Sequence, residues 1–153
     1  MQADNCLAEE DEAAELPGGL AVKIARCRDA KVTYEYGCDL RRLFPWTGVV
    51  DPLWGGAIAS VRPLEATSPH SHDEEETFII LSGGGEISID GERASVTRGD
   101  VIYLPRNSHH TIHNTSSTER LEFLTIFWGS PEANARMAEM VRSQAADVEG
   151  APA

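Results

Sequence analysis

All five histidines of this 153-residue chain lie between His70 and His113, and that crowding constrains the fold more than any other feature. The first group reads P-H-S-H-D-E-E-E-T-F-I-I-L-S-G, with Glu76 four residues after His72. In an extended chain, residues of equal parity point to the same face. His70, His72 and Glu76 therefore share a face if the segment is extended, as the continuation T-F-I-I-L suggests. Glu74 has the same parity and is the alternative carboxylate, whereas Asp73 and Glu75 point the other way. A second group, His109, His110 and His113, follows after two or three short strands and their turns. The stretch H-T-I-H-N places His110, Ile112 and Asn114 on one face and His113 on the other. Two imidazoles and a carboxylate from one strand, joined by an imidazole from a distant one, make a suitable ligand set for a divalent metal. Gathered inside an apolar barrel, such groups would be costly without a cation.

Short alternating segments flank the histidines. L-A-V-K-I-A-R-C, with Leu20, Val22 and Ile24 on one face, reads as a first strand, and K-V-T-Y-E-Y, closed by Gly37, as a second. In D-L-R-R-L-F-P-W, Pro45 breaks any helix and Trp46 is a large apolar anchor. The pair Arg41-Arg42 reads first as an exposed, ion-paired surface, with recognition of a carboxylate or phosphate near a barrel mouth as the alternative. W-G-G-A-I-A-S-V-R-P leads into the histidine segment, with Gly55 and Gly56 at a bend or bulge. His70 to Leu81 reads as one strand, and Ser82-Gly83-Gly84-Gly85 as a turn. In E-I-S-I-D-G-E-R-A-S-V, Asp90-Gly91 signals a type I′ hairpin turn. V-I-Y-L-P follows another turn at Thr97–Asp100, and L-E-F-L-T-I-F-W reads as a strand buried on both sides. Ser130-Pro131-Glu132 starts a helix, along which Met137, Met140 and Val141 form a packing stripe. Strands separated by Gly and Asx turns every 8 to 12 residues or so indicate an all-β sandwich or barrel.

The histidine stretches resemble the two cupin motifs. His70, His72, Glu76 and Gly83 match the first; Gly99, Pro105, His110 and Asn114 match the second. The resemblance covers roughly residues 55 to 128. Leu64 stands where the first motif opens with Gly, and Asn107 where the second has Gly; Asn tolerates positive φ well enough to make the same turn. The resemblance implies a double-stranded β-helix, the cupin jelly-roll barrel, with a short C-terminal α-helix. Composition and the helix start, taken with it, divide the chain into an acidic lead over 1–18, a barrel over 19–130, a helix over 131–146 and a tail over 147–153. The resemblance makes His70, His72, Glu76 and His110 the ligands of one divalent metal ion, namely Fe, Mn, Ni, Co or Zn. Tyr103, His109 and Asn114 stand as candidates for contact with substrate or for support of the ligands, with ordinary packing or exposure as the alternative. Pairing into a homodimer is also implied.

Composition narrows the function classes. The formal charge is 13 minus 25, or −12, which argues against a nucleic-acid or anionic-membrane partner. No apolar run approaches the roughly 20 residues of a membrane span. The first residues, M-Q-A-D-N-C-L-A-E-E, have neither a basic start nor an apolar segment, so no secretory signal is expected and a cytoplasmic location is the default. Cys6, Cys27 and Cys38 form no Cys-x-x-C pattern and read as inert thiols. The resemblance implies a small-molecule substrate and oxygenase chemistry, in many cases within secondary metabolism. Redox-neutral chemistry (cyclisation, isomerisation, lyase or nitrogen–nitrogen condensation) is the alternative, and a non-catalytic ligand-binding protein the third reading.

Overall fold

The structure, a computed structural model, describes residues 22–149. Among the described residues, nine strands and one helix follow a 3-10 turn at Cys27–Asp29. The strands are β1 (Val32–Glu35), β2 (Cys38–Phe44), β3 (Trp54–Val61), β4 (Glu75–Ser82), β5 (Gly84–Ile89), β6 (Glu92–Thr97), β7 (Val101–Leu104), β8 (His110–Asn114) and β9 (Leu121–Trp128), and the helix is α1 (Pro131–Glu149). Six strands form one sheet in the order β1-β2-β3-β9-β4-β7, and three form a second in the order β6-β5-β8. Every pairing is antiparallel. This is the expected double-sheet jelly-roll with one C-terminal helix.

β9 is the spine of the large sheet. It pairs with β3 from Trp54↔Trp128 to Val61↔Leu121, and on its other edge with β4 from Glu75↔Trp128 to Ser82↔Glu122. Leu121, Phe123 and Thr125 are buried, while Glu122, Leu124 and Ile126 are half-buried, so the expected burial on both faces is deep on one face only. The core gathers Val61, Phe78, Ile80, Leu104, Ile112, Leu121 and Phe123 between the sheets. Each fully buried large side chain of this kind contributes about 1.5–3 kcal/mol by its removal from water.

The crossing between sheets depends on glycines. At Gly83 φ is +74°, and a Cβ there would lie 2.5 Å from the Arg120 carbonyl oxygen. A Cβ on Gly85 would lie 2.0 Å from the His113 carbonyl oxygen. The triplet therefore does more than turn the chain, because it lets β5 press flush against β8 as it leaves β4. The hairpin between β5 and β6 has positive φ at both Asp90 (49°) and Gly91 (88°), as a type I′ turn requires.

Several expectations need correction. Residues 22–26 form no strand, and Val22 and Ile24 are exposed; Leu20 lies outside the described residues. An alternating pattern stabilises a strand only where a partner edge receives it, and β1 begins later, at Val32. D-L-R-R-L-F is itself strand, within β2, and the bulge near Gly55-Gly56 sits on the opposing strand between Arg42 and Phe44. The histidine strand begins at Glu75 rather than His70. His70 instead makes an isolated bridge with His110, in which each backbone N–H donates to the other's carbonyl at 3.2 and 2.9 Å. Helix α1 runs past residue 146 to Glu149, and Met137, Met140 and Val141 are exposed rather than packed. The acidic lead over 1–18 and residues 150–153 lie outside the described residues. No described helix is long and apolar enough to cross a membrane.

Candidate metal centre

Three imidazoles meet at one end of the barrel. The ligand nitrogens of His70, His72 and His110 all lie within 4.8 Å of one another. His110 projects inward from the first position of β8 and is almost fully buried. The His70 bridge sets its ring against His110, with centroids 4.5 Å apart. His72 is held through its own backbone, because its carbonyl accepts the Asn107 N–H at 2.8 Å. Asn107 sits at φ +62° in that loop, so the residue replacing the motif glycine makes the left-handed turn that glycine would make.

The orientation of two rings follows from their backbone partners. His110 Nδ1 lies 3.0 Å from the Ser108 carbonyl and His70 Nδ1 lies 2.7 Å from the Ser68 carbonyl. A carbonyl oxygen only accepts, so each Nδ1 carries the hydrogen and each Nε2 is left as the free lone-pair donor of a neutral ring. Glu76, buried at the second position of β4, stands among these nitrogens. Its Oε2 lies 3.1 Å from His72 Nε2 and 3.4 Å from His110 Nε2. Its Oε1 accepts the Thr125 hydroxyl from the neighbouring strand β9.

This arrangement calls for positive charge. His110 Nε2 and His72 Nδ1 are buried without a hydrogen-bond partner among the described residues. A neutral His110 turns its Nε2 lone pair towards a carboxylate oxygen, and two electron-rich atoms at that separation need a proton or a metal ion beside them. Burial pushes the Glu76 carboxyl up, but with protons on the imidazoles a hydrogen bond from His110, the Thr125 hydroxyl and the charges of His72 and His110 outweigh it and hold the group below the usual carboxylate range; a metal ion would supply the same positive charge to neutral rings. Burial likewise lowers His70, helped by His110 and His72 and opposed by the Ser68 carbonyl and Glu76, so its neutral ligand form is favoured. The three-histidine group is capable of binding a metal ion, and its donor set fits one.

A cavity of about 360 Å³ opens beside the histidines. Half of its lining residues come from strands outside both histidine groups. Leu40, Ala57 and Ala59 lie on one side, and Phe123, Thr125 and Phe127 continue across β9 to Phe78 on β4. Tyr36, at the mouth, stacks on His70 with ring centroids 5.1 Å apart. Glu74 also lines the cavity, its carboxylate 3.9 Å from His72 Nδ1. Asp73 turns away to accept from Arg106, and Glu75 accepts from Trp128 Nε1, as their parity implies. Sequence reasoning missed Tyr36, Thr125 and the phenylalanines, and raised Arg42 only together with Arg41, as the alternative to an exposed ion pair; the cavity lining includes Arg42 and not Arg41. Only the alternating inward parity of β2 and β9 carried a signal for the residues on those two strands.

The three supporting candidates lie elsewhere. Tyr103 is half-exposed on the edge strand β7 and does not line the cavity. His109 is exposed, and its backbone N–H donates to Asp90. Asn114 is fully buried; it donates to the Val61 and Glu119 carbonyls and accepts the Ser116 N–H. That is a clasp on the β8–β9 connection. Cys38 is a free, buried thiol lining the cavity, which burial and then Asp39 and Glu35 push up to about 11, so it is unreactive near neutrality. Cys27 is free as well, and Cys6 lies outside the described residues.

A family model described as a cupin domain matches residues 57–127. The solved structure of a cupin 2 conserved barrel domain protein from Salinispora arenicola is 28% identical, with a TM-score of 0.70 over 79% of this chain and 99% of that one. The plu4264 protein from Photorhabdus luminescens is 33% identical, with a TM-score of 0.66 over 79% of this chain and 97% of that one. A 5-nitrosalicylic acid 1,2-dioxygenase from Bradyrhizobium is 24% identical over 93 residues, which is 54% of this chain and 45% of the relative. The chain spans about half the length of the curated relatives it matches. The matched family region runs from β3 to β9 and includes every histidine, and two solved barrels align over nearly their whole length. The chain belongs to the cupin family.

Proposed function

We propose that the chain is a metal-dependent enzyme of the oxygenase type, acting on a small organic molecule in the cavity beside His70, His72 and His110. The observation that carries this reading is the buried, partnerless Nε2 of His110 facing the Glu76 carboxylate. His70, His72, Glu76 and His110 would hold one divalent ion, with Glu74 as the other carboxylate within reach. An iron, manganese, nickel or cobalt ion held there would supply Lewis acidity and electron exchange with O₂.

The chain's own residues do the rest. The Ser68 and Ser108 carbonyls fix the tautomers of His70 and His110. Thr125 orients Glu76. Phe78, Phe123 and Phe127 keep water from the inner cavity, which strengthens every charge interaction inside it. Resemblance to a dioxygenase over part of its length supports oxygenase chemistry. Pairing of two copies belongs to the same reading and is checked by light scattering.

The test is elemental analysis of protein purified without chelator, beside His72→Ala and His110→Ala. Near-stoichiometric iron, manganese, nickel or cobalt in the parent, lost in both variants, is the expected result, and O₂ consumption with a substrate library then follows. Near-stoichiometric zinc that survives metal exchange would replace the oxygenase reading with redox-neutral chemistry. No metal after reconstitution would leave a binding protein.

A further inference from the structure

The cavity lining is uneven in its chemistry. Phe78, Phe123 and Phe127 wall it, and Ala57 and Ala59 leave it open. Gly55 contributes to that shape, because a Cβ there would lie 2.1 Å from the Phe127 ring. Histidines aside, the charged groups on the lining are Glu74, Glu76 and a single guanidinium, Arg42. Arg42 follows Cys38 and Leu40 on the inward side of β2, while Arg41 has the opposite parity. Across the sheet Arg42 pairs with Ala57 and Ala57 with Thr125, so only a methyl side chain separates Arg42 from the threonine that holds Glu76.

Arg42 is not fully used. Its Nη2 donates to Glu35, and its Nε and Nη1 have no acceptor among the described residues. An exposed ion pair alone contributes little. A planar guanidinium that uses one of its five N–H donors and keeps a bidentate edge, on the rim of an aromatic cavity, matches a carboxylate in shape and charge. At about 360 Å³ the cavity is near the lower end of the roughly 300–1,000 Å³ typical of ligand pockets, which suits a body of one ring.

We infer that the substrate is a small carboxylic acid with an aromatic or compact apolar body, its carboxylate received by Arg42 and its body lying among Phe78, Phe123 and Phe127. This rests on the reading of the cavity as the substrate site, and it does not depend on which metal is present.

The test compares benzoate with its neutral isostere benzamide by calorimetry on the full chain. It uses the parent, Arg42→Gln and Glu35→Gln, with metal content and melting curves measured on each. The parent should bind benzoate about tenfold or more tighter than benzamide, as charge-assisted hydrogen bonds imply. Arg42→Gln should erase that preference while leaving benzamide affinity and metal content unchanged. Glu35→Gln, which removes the competing carboxylate, should tighten benzoate alone. Equal binding of the two probes by the parent would overturn the inference, as would binding of neither. A benzoate preference that survives Arg42→Gln but vanishes on chelation would place the carboxylate on the metal and overturn it as well. A parent without metal that still shows the Arg42-dependent preference would sink the oxygenase proposal and leave this one standing.

Discussion

Thr125 lines the cavity, and its hydroxyl donates to the one carboxylate among the imidazoles. Val replaces it with nearly the same shape and no donor. Thr125→Val is therefore expected to weaken metal affinity about tenfold, the lower end of what loss of a ligand's supporting hydrogen bond costs. Chelator competition reads this directly, and an unchanged affinity would show that Glu76 needs no orienting partner. The histidine spacing pointed to His70, His72, Glu76 and His110 because parity and a fixed interval survive in one dimension. Thr125 was illegible, since it lies 49 residues from Glu76 in sequence and meets it only through the β4–β9 pairing. Leu64 shows the converse. It stands where a glycine is usual and adopts φ +60°, so the backbone shape outlasts the residue that makes it easy.

Among the elements, β5 shows how two glycines of one sequence can carry unlike costs. Gly91, in the hairpin turn, has φ +88° and open space where a Cβ would sit. Gly91→Ala should cost about 1 kcal/mol, from backbone strain alone. Gly85→Ala drives a Cβ into the His113 carbonyl of β8, and is expected to cost about 2–3 kcal/mol. Because β8 also begins with His110, the Gly85 variant should lose metal affinity along with stability. Urea titrations of the two variants check this, and equal losses would contradict the close approach. Turn chemistry made the hairpin readable from Asp90-Gly91. The run Ser82–Gly85 reads only as a turn, because nothing local reveals which strand a glycine must lie against. The same limit explains residues 22–26 and the stripe of Met137, Met140 and Val141. Periodicity reports a face, and only the rest of the fold reports whether something covers it.

For the molecule as a whole, one ionic cluster ties distant segments of the large sheet. Asp39 on β2 accepts two hydrogen bonds from Arg62 and one from Arg120, and Arg120 also donates to Ser60. The hydrogen bonds from the two guanidinium groups hold Asp39 below the usual carboxylate range. A carboxyl lowered by folding stabilises the native state above its unfolded pKa of about 3.9, and that contribution fades as pH falls through the lower folded value. Asp39→Asn should therefore lower the melting midpoint at pH 7, with the gap to the parent closing as the pH drops below about 4. Parallel curves from pH 7 to pH 3 would refute the linkage. The all-β class was legible from strand spacing and turn residues, and the two-sheet jelly roll only from the cupin resemblance. The partners of Asp39 were not, because Arg62 and Arg120 reach it from 23 and 81 residues away.

The proposed ligands come from residues 70–76 and from His110, whereas half of the cavity lining comes from β2, β3 and β9. Phe78 apart, reactivity and the proposed recognition are thus written on separate stretches of the chain and can drift independently. The smallest residues hold the most leverage. Enlarging Ala57 or Ala59 fills the chamber, and any side chain at position 55 displaces the Phe127 ring. A lineage descended from this barrel could recut its substrate range through those three positions while every histidine stays where it is.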